Sequence, residues 1–236
     1  MKLLIHKNCI LCGAVSSHDF CSGCSKSLSR LTANVCKICA KTLITGTTNI
    51  CGSCLASPPA YSTTIAALIY TFPADMLVHA LKYRQQLAIA PVLAELLLET
   101  IRHQQSTDQP DLVIPMPLHP KRLQERGFNQ AIEIGRHLSQ QLRIQFCHDS
   151  CKRIKNTLPQ AELPWKMRRD NVKKAFICNQ NLSGMHVAIV DDVMTTGATL
   201  NELANQLRKQ GACRITNWIV TRAQKERFWM QSDYCF

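Results

Sequence analysis

Apolar positions along the second three quarters of the chain alternate between two periods. Thr64 to Tyr70 reads as a strand, Leu112 to Pro115 as a short buried strand, and His186 to Val190 and Ile215 to Val220 as apolar, β-branched strands. Between them the apolar residues recur at helical spacing over Ala74 to Tyr83, Val92 to His103 (opening after Pro91), Asn129 to Leu142 and Thr199 to Lys209, the last closed by Gly211. In Asn129 to Leu142 the stripe is Ile132, Leu138 and Leu142. Helices alternating with strands this apolar predict an α/β domain whose parallel sheet is covered on both faces. Such sheets bind ligands at the carboxyl ends of their strands.

The first 56 residues follow neither period. They carry four copies of one unit, Cys9-x-x-Cys12, Cys21-x-x-Cys24, Cys36-x-x-Cys39 and Cys51-x-x-Cys54. Two intervening residues let both thiolates of a unit face one metal from a tight turn, and two units complete a tetrahedral site. Eight ligands therefore predict two structural Zn²⁺ ions rather than a disulfide framework. Consecutive pairing of the units is favoured over an interleaved cross-brace, because the shorter loops cost less chain entropy. Apart from Leu28, Leu31, Val35 and Leu43 the segment has little to bury, so the metals must hold it together. Ser57-Pro58-Pro59 then breaks any helix. The predicted organisation is a zinc module over 1–56, a linker over 57–60 and the α/β domain over 61–236.

Composition adds two constraints. In 236 residues, 46% are apolar and 19% charged, enough for a packed core and against wholesale disorder. The greasiest stretch, Ala88 to Leu98, is cut by Pro91 and Glu95, so no bilayer-spanning segment is expected. In MKLLIHKNC, His6 and Lys7 interrupt the apolar start before a signal peptide could form, which points to a cytoplasmic protein. The formal charge of +12 falls to +8 when eight thiolates subtract eight and two Zn²⁺ add four. Residues 121 to 174 alone hold thirteen Lys or Arg against five Asp or Glu. That concentration suits a phosphate-rich ligand or a nucleic acid.

The most informative strand end is VAIVDDVMTTGATL, residues 187 to 200. An apolar strand runs into Asp191 and Asp192, then a turn of Thr195, Thr196, Gly197, Ala198 and Thr199, then a helix. Backbone N–H groups and hydroxyls at a helix N-terminus cradle a phosphate dianion. The two acids upstream can accept hydrogen bonds from sugar hydroxyls or hold a hydrated Mg²⁺. Phosphate at one end and diol at the other describe a ribose 5-phosphate.

This stretch resembles the phosphoribosyl diphosphate (PRPP) signature of type I phosphoribosyltransferases. With IPMPLHP (Ile114 to Pro120), ERGFNQA (Glu125 to Ala131), RIKNTLPQAEL (Arg153 to Leu163) and RRDNVKKAF (Arg168 to Phe176), the chain resembles the ComF family of competence-associated proteins. The resemblance implies a type I phosphoribosyltransferase fold, with a hood, behind a double zinc-ribbon-like module. It implies that Asp191 and Asp192 contact the ribose, that the 195–199 turn holds the 5-phosphate, and that Lys121, Arg122 and Arg126 face the pyrophosphate. Arg153 to Arg169 would be the mobile loop over the site, and Lys82, Tyr83 and Arg84 part of the hood that reads an acceptor base. Trp165 among Lys166, Arg168 and Arg169, together with Arg153, could stack on and neutralise a single strand, or Trp165 could be a surface anchor. Phe128 could stack on a base or anchor its loop. His79 and His119 read as structural histidines, and Cys147, Cys151, Cys178, Cys213 and Cys235 as free thiols or core residues. Two functions follow from the resemblance: handling of imported single-stranded DNA in natural transformation, with PRPP as ligand and the DNA-uptake machinery as partner, or an active Mg²⁺-dependent phosphoribosyltransferase.

Overall fold

The computed structural model describes residues 7–31, 34–43, 48–104, 109–156 and 172–224. Its centre is a five-stranded, all-parallel sheet in the order β3 (Thr63–Ile69), β9 (Arg214–Arg222), β8 (His186–Met194), β4 (Leu112–Pro115), β5 (Gln145–Phe146). Helices α3 (Ala74–Tyr83) and α4 (Ile89–Gln104) join β3 to β4, α5 (Pro120–Arg126) and α6 (Gln130–Leu142) join β4 to β5, and α7 (Ala198–Lys209) joins β8 to β9.

Strand alternation divides the core into two layers. Val187, Ile189, Ile215 and Ile219 pack with Leu200, Leu203 and Leu207 of α7, whereas Ala188, Val190, Trp218 and Val220 pack with Leu93, Leu97 and Ile101 of α4 and Ile134 and Leu138 of α6. The period of two thus assigns each strand residue its layer. Helix α4 opens at Ile89, ahead of Pro91, and not after it: a proline in the first turn forfeits an N–H that has no intrahelical partner there. On α6 the buried apolar stripe is Ala131, Ile134 and Leu138, with Ile132 half-buried beside it.

The cysteine segment forms a short hairpin, β1 (Lys7–Asn8) with β2 (Val15–Ser16), and two short helices, α1 (Ser22–Ser27) and α2 (Gly52–Ala56). It sits astride the β3 edge of the sheet. Arg30 bridges Leu68 antiparallel, with Leu31 N–H donating to Ala67 O at 3.0 Å and Ile69 N–H to Ser29 O at 2.8 Å. Thr64 adds a hydroxyl bond to Ile38 O at 2.6 Å. Leu28, Leu11 and Phe20 pack into the α4 layer, and Leu31, Cys36, Cys39, Cys51 and Cys54 into the α7 layer. The edge strand that would otherwise offer its backbone to other chains is therefore covered. Segment 57–60 lies on α7, where Ala60 N–H donates to Asn201 Oδ1 at 2.7 Å and its carbonyl accepts from Arg208 at 3.0 Å.

A two-stranded antiparallel ribbon, β6 (Cys151–Arg153) with β7 (Phe176–Cys178), flanks the basic segment that runs from Ile154 onward. Cys151 and Cys178 are paired across it as a disulfide with a Cα–Cα distance of 4.3 Å, so they are not the free thiols or plain core residues expected from their spacing. Direct cross-strand register, which no local motif announces, brings them together.

Candidate ribose-phosphate site and zinc centres

Each consecutive pair of Cys-x-x-Cys units closes on itself: the sulfurs of Cys9, Cys12, Cys21 and Cys24, and those of Cys36, Cys39, Cys51 and Cys54, all lie within 4.8 Å of one another. Cys12 and Cys21 sulfurs are 3.7 Å apart, as are those of Cys39 and Cys51. A tetrahedral ion with Zn–S bonds of about 2.3 Å needs sulfurs about 3.8 Å apart, so both sets fit Zn²⁺. The thiols are mismatched without a cation. Backbone N–H donors of Cys21, Cys12 and Leu11 lower Cys9 to about 6, while Cys12 and Cys21 push Cys24 up to about 12. In the second set burial and the neighbouring thiols hold Cys54 well above its ordinary value. A divalent ion removes this conflict by ionising all four.

The acid pair lies inside β8 rather than after it, because the strand continues to Met194 in register with Ile219, Thr221 and Arg222 of β9. Asp192 is 5% exposed and faces the α3 side, where its Oδ2 meets the Lys82 ammonium at 2.9 Å. Burial presses the Lys82 pKa down, but the two aspartates more than offset it and hold it above the ordinary value. Lys82, expected in a base-reading hood, is thus the counter-ion of the acid pair. Asp191 is partly exposed, and one of its oxygens accepts the Asp192 N–H at 2.9 Å. Burial and then the adjacent Asp192 raise Asp191 to about 8, against the opposing pull of Lys82. At neutral pH Asp191 therefore keeps its proton, because one lysine does not compensate two ionised carboxylates.

Beyond Met194 the chain turns into α7. Gly197 has φ +81°, a backbone angle that favours glycine, and a Cβ there would lie 2.8 Å from the side-chain ends Met194 Cε and Tyr61 Oη. Ala198 N–H donates to Thr196 Oγ1 at 3.1 Å. Asp191, Thr195, Gly197 and Thr199 line a hollow of about 60 Å³ at the N-terminus of α7, room for a phosphate-sized group. Arg222, which sequence reasoning missed, braces this turn from the end of β9. Its buried guanidinium donates to Cys39 O at 2.7 Å, to Met194 O at 3.1 Å, and to Thr195 O and Ala223 O. One side chain thus ties a zinc knuckle to the phosphate turn.

The other predicted residues divide. Arg126 donates to Gln130 Oε1 at 3.0 Å and lies 5.6 Å over the Tyr83 ring; Lys121 is exposed on α5, and Arg122 is half-buried. Arg153 is half-buried 5.6 Å over the Phe176 ring, and burial followed by the Arg122 charge lowers its pKa while Asp191 raises it. It belongs to the electrostatic surroundings of the acid pair. Phe128 is half-buried against the α4 layer, as an anchor would be. Trp165, Lys166, Arg168, Arg169 and Cys235 lie outside the described residues.

Residues 1–55 match a double zinc ribbon domain and residues 130–235 a phosphoribosyl transferase domain. Competence protein F of Haemophilus influenzae is 35% identical over 224 residues, 91% of this chain and 96% of that protein. The chain belongs to the competence protein F family. DNA utilization protein YhgH of Escherichia coli O157:H7 is 35% identical over 171 residues, 71% of this chain and 75% of that protein. Competence protein ComFC of Bacillus subtilis is 29% identical over about half of each chain. A purine phosphoribosyltransferase from Pyrococcus horikoshii is matched over 72% of this chain and 99% of that structure, at 18% identity and a TM-score of 0.37, too distant to bear on function. The family assignment agrees with the observed parallel sheet behind two four-cysteine clusters. Among the described residues no helix is long and apolar enough to cross a membrane.

Proposed function

We propose that this protein binds PRPP with Mg²⁺ at the carboxyl end of β8 and acts in the handling of single-stranded DNA during natural transformation. The carrying observation is the juxtaposition of an acid pair that one lysine cannot fully compensate with a phosphate-sized hollow at the N-terminus of α7. In this reading the N–H groups and hydroxyls of the 195–199 turn hold the 5-phosphate. Asp191 and Asp192 accept from the ribose hydroxyls, and Arg122, Arg126, Lys121 and Arg153 offer cationic donors to the pyrophosphate. A cation or a pair of hydroxyl donors would favour the ionised form of Asp191, which the free site holds back. Bound Mg²⁺ supplies neutralisation of the pyrophosphate and ribose oxygens.

The DNA role rests on kinship: the H. influenzae relative is named for competence and the E. coli relative for DNA utilization. The test is a thermal melt with PRPP, with and without Mg²⁺. At a hundredfold excess over Kd, linkage adds about 2.7 kcal/mol, or roughly 5–10 °C for a chain this size. No shift at millimolar PRPP with Mg²⁺ overturns the reading. Pyrophosphate release with a panel of bases and amines decides whether the bound PRPP is also turned over.

A further inference from the structure

Helix α3 buries Ala74, Leu77, Val78 and Leu81. On its outer side Met76, His79 and Tyr83 succeed one another at steps of three and four residues, the spacing of one helical face, and Phe72 lies in the turn just ahead of the helix. All four are exposed, Phe72 to 71%, Met76 to 50% and Tyr83 to 66%. Scattered apolar side chains on a surface need no explanation, but several large ones gathered on one helix and the turn before it mark a place where something binds.

The row is built for stacking and carries positive charge. The His79 ring lies 4.7 Å from that of Tyr83, the Arg126 guanidinium lies 5.6 Å over the Tyr83 ring, and Arg84 is exposed next to it. The acid on this helix, Asp75, turns one carboxylate oxygen to the Met76 N–H at 2.8 Å. Lys82, the residue before Tyr83, pairs with Asp192 of the ribose-phosphate site at 2.9 Å. Exposed π faces interleaved with cations suit unpaired bases on a phosphate backbone. A second copy docked face to face would bring Arg84 and Arg126 towards their own equivalents.

We infer that the Met76–His79–Tyr83 face of α3, with Phe72 in the turn ahead of it, is a stacking shelf for the bases of a single-stranded nucleic acid, whose backbone runs by Arg84 and Arg126 to the mouth of the ribose-phosphate site. This rests on the DNA-handling reading above and adds where the strand lies. Met76 and Tyr83 are seven positions apart on α3; at about 1.5 Å per residue the helical part of the shelf is about 10 Å long, which spans about two to three nucleotides.

The experiment is fluorescence anisotropy of a labelled oligo-dT probe with the zinc-loaded full chain. The double variant Phe72→Ala, Tyr83→Ala should bind more weakly, by about 30-fold or more, through the loss of two stacking partners, with the salt slope nearly unchanged because phosphate contacts remain. Phe72→Tyr with Tyr83→Phe should retain wild-type affinity, and Phe72→Ala alone should leave the PRPP-dependent melting shift intact. Wild-type DNA affinity in the double Ala variant overturns the inference while the DNA reading stands. So does a wild-type dimer, seen by light scattering, that becomes monomeric in the variant with DNA affinity unchanged, since the row is then a self-association surface. If the wild-type chain binds no probe even at low salt, the DNA reading itself fails.

Discussion

The raised pKa of Asp191 makes a carboxylate that serves a ligand a liability to the free protein. Asp191→Asn keeps the shape and removes the charge. In the folded chain Asp191 titrates at about 8, against 3.8 for an unperturbed aspartate. A folded pKa above the unfolded value means that the native state keeps a proton the unfolded chain releases, so stability falls as pH rises between those values and levels off above the higher one. Zinc sites built from four thiolates lose metal in acid, which confines the measurement to pH above about 6. From there to about pH 8, two units at about 1.4 kcal/mol each would cost ~3 kcal/mol if Asp191 were wholly dry. It is partly exposed at the mouth of the site, and screening brings this to about 1 kcal/mol, or about 2–4 °C. Calorimetric melts should show Asp191→Asn more stable than wild type at about pH 6 and further ahead by that amount at about pH 8.5. Mg²⁺ with PRPP should reverse the order, raising wild type and leaving the variant unmoved. A variant less stable than wild type, or a difference that does not grow with pH, would mean that Asp191 is comfortably ionised without ligand and that the pair tolerates two negative charges.

Native mass spectrometry of protein purified without chelator should find two zinc ions per chain; one ion, or eight thiols that titrate in the native state, refutes the assignment of two four-cysteine sites. Lys82→Met should destabilise by about 3–5 kcal/mol by stranding the buried Asp192 carboxylate, and adding Asp192→Asn should restore most of it; additive losses in chemical denaturation would show that the pair is not coupled. Arg222→Met should cut the Mg²⁺–PRPP melting shift by half or more, because the Thr195 and Met194 carbonyls lose their brace, and an undiminished shift would leave Arg222 a purely structural residue. Cys9→Ser should release one zinc with little change in the PRPP-dependent shift, whereas Cys39→Ser should release the other and weaken that shift, since Cys39 O is an Arg222 acceptor; equal effects would show that neither knuckle is tied to the turn.

The parts legible in the sequence are those whose signal is local. Ala74–Tyr83 and Leu112–Pro115 appear within the boundaries their patterns imply, and the Cys-x-x-Cys units pair consecutively, because spacing alone carries the information. Helix α5 gives no such signal, since its sequence, PKRLQER, has no apolar stripe. It is set by Pro120 in the first turn and by His119, whose Nδ1 accepts the Lys121 N–H at 3.2 Å. Strand β8 reads as ending at Val190 because carboxylates are poor strand residues, yet pairing with β9 carries the chain through both.

The site is legible as a set of residues and illegible as an arrangement. Asp191, Asp192 and the 195–199 turn announce themselves within nine residues, but the cations that decide their electrostatics come from afar: Lys82 lies 110 positions upstream of Asp192, and Arg222 reaches back 183 positions to Cys39. The same distance effect explains why the zinc module looks separate in sequence. Its own apolar residues are too few for a core because the sheet supplies one, on both faces of β3. A metal-stiffened clasp over an edge strand costs few buried side chains and fixes Arg222 from behind. The knuckle nearer the linker thereby sets the backbone of the phosphate turn, and the loss of its zinc should be felt at the ligand site before it is felt in the sheet.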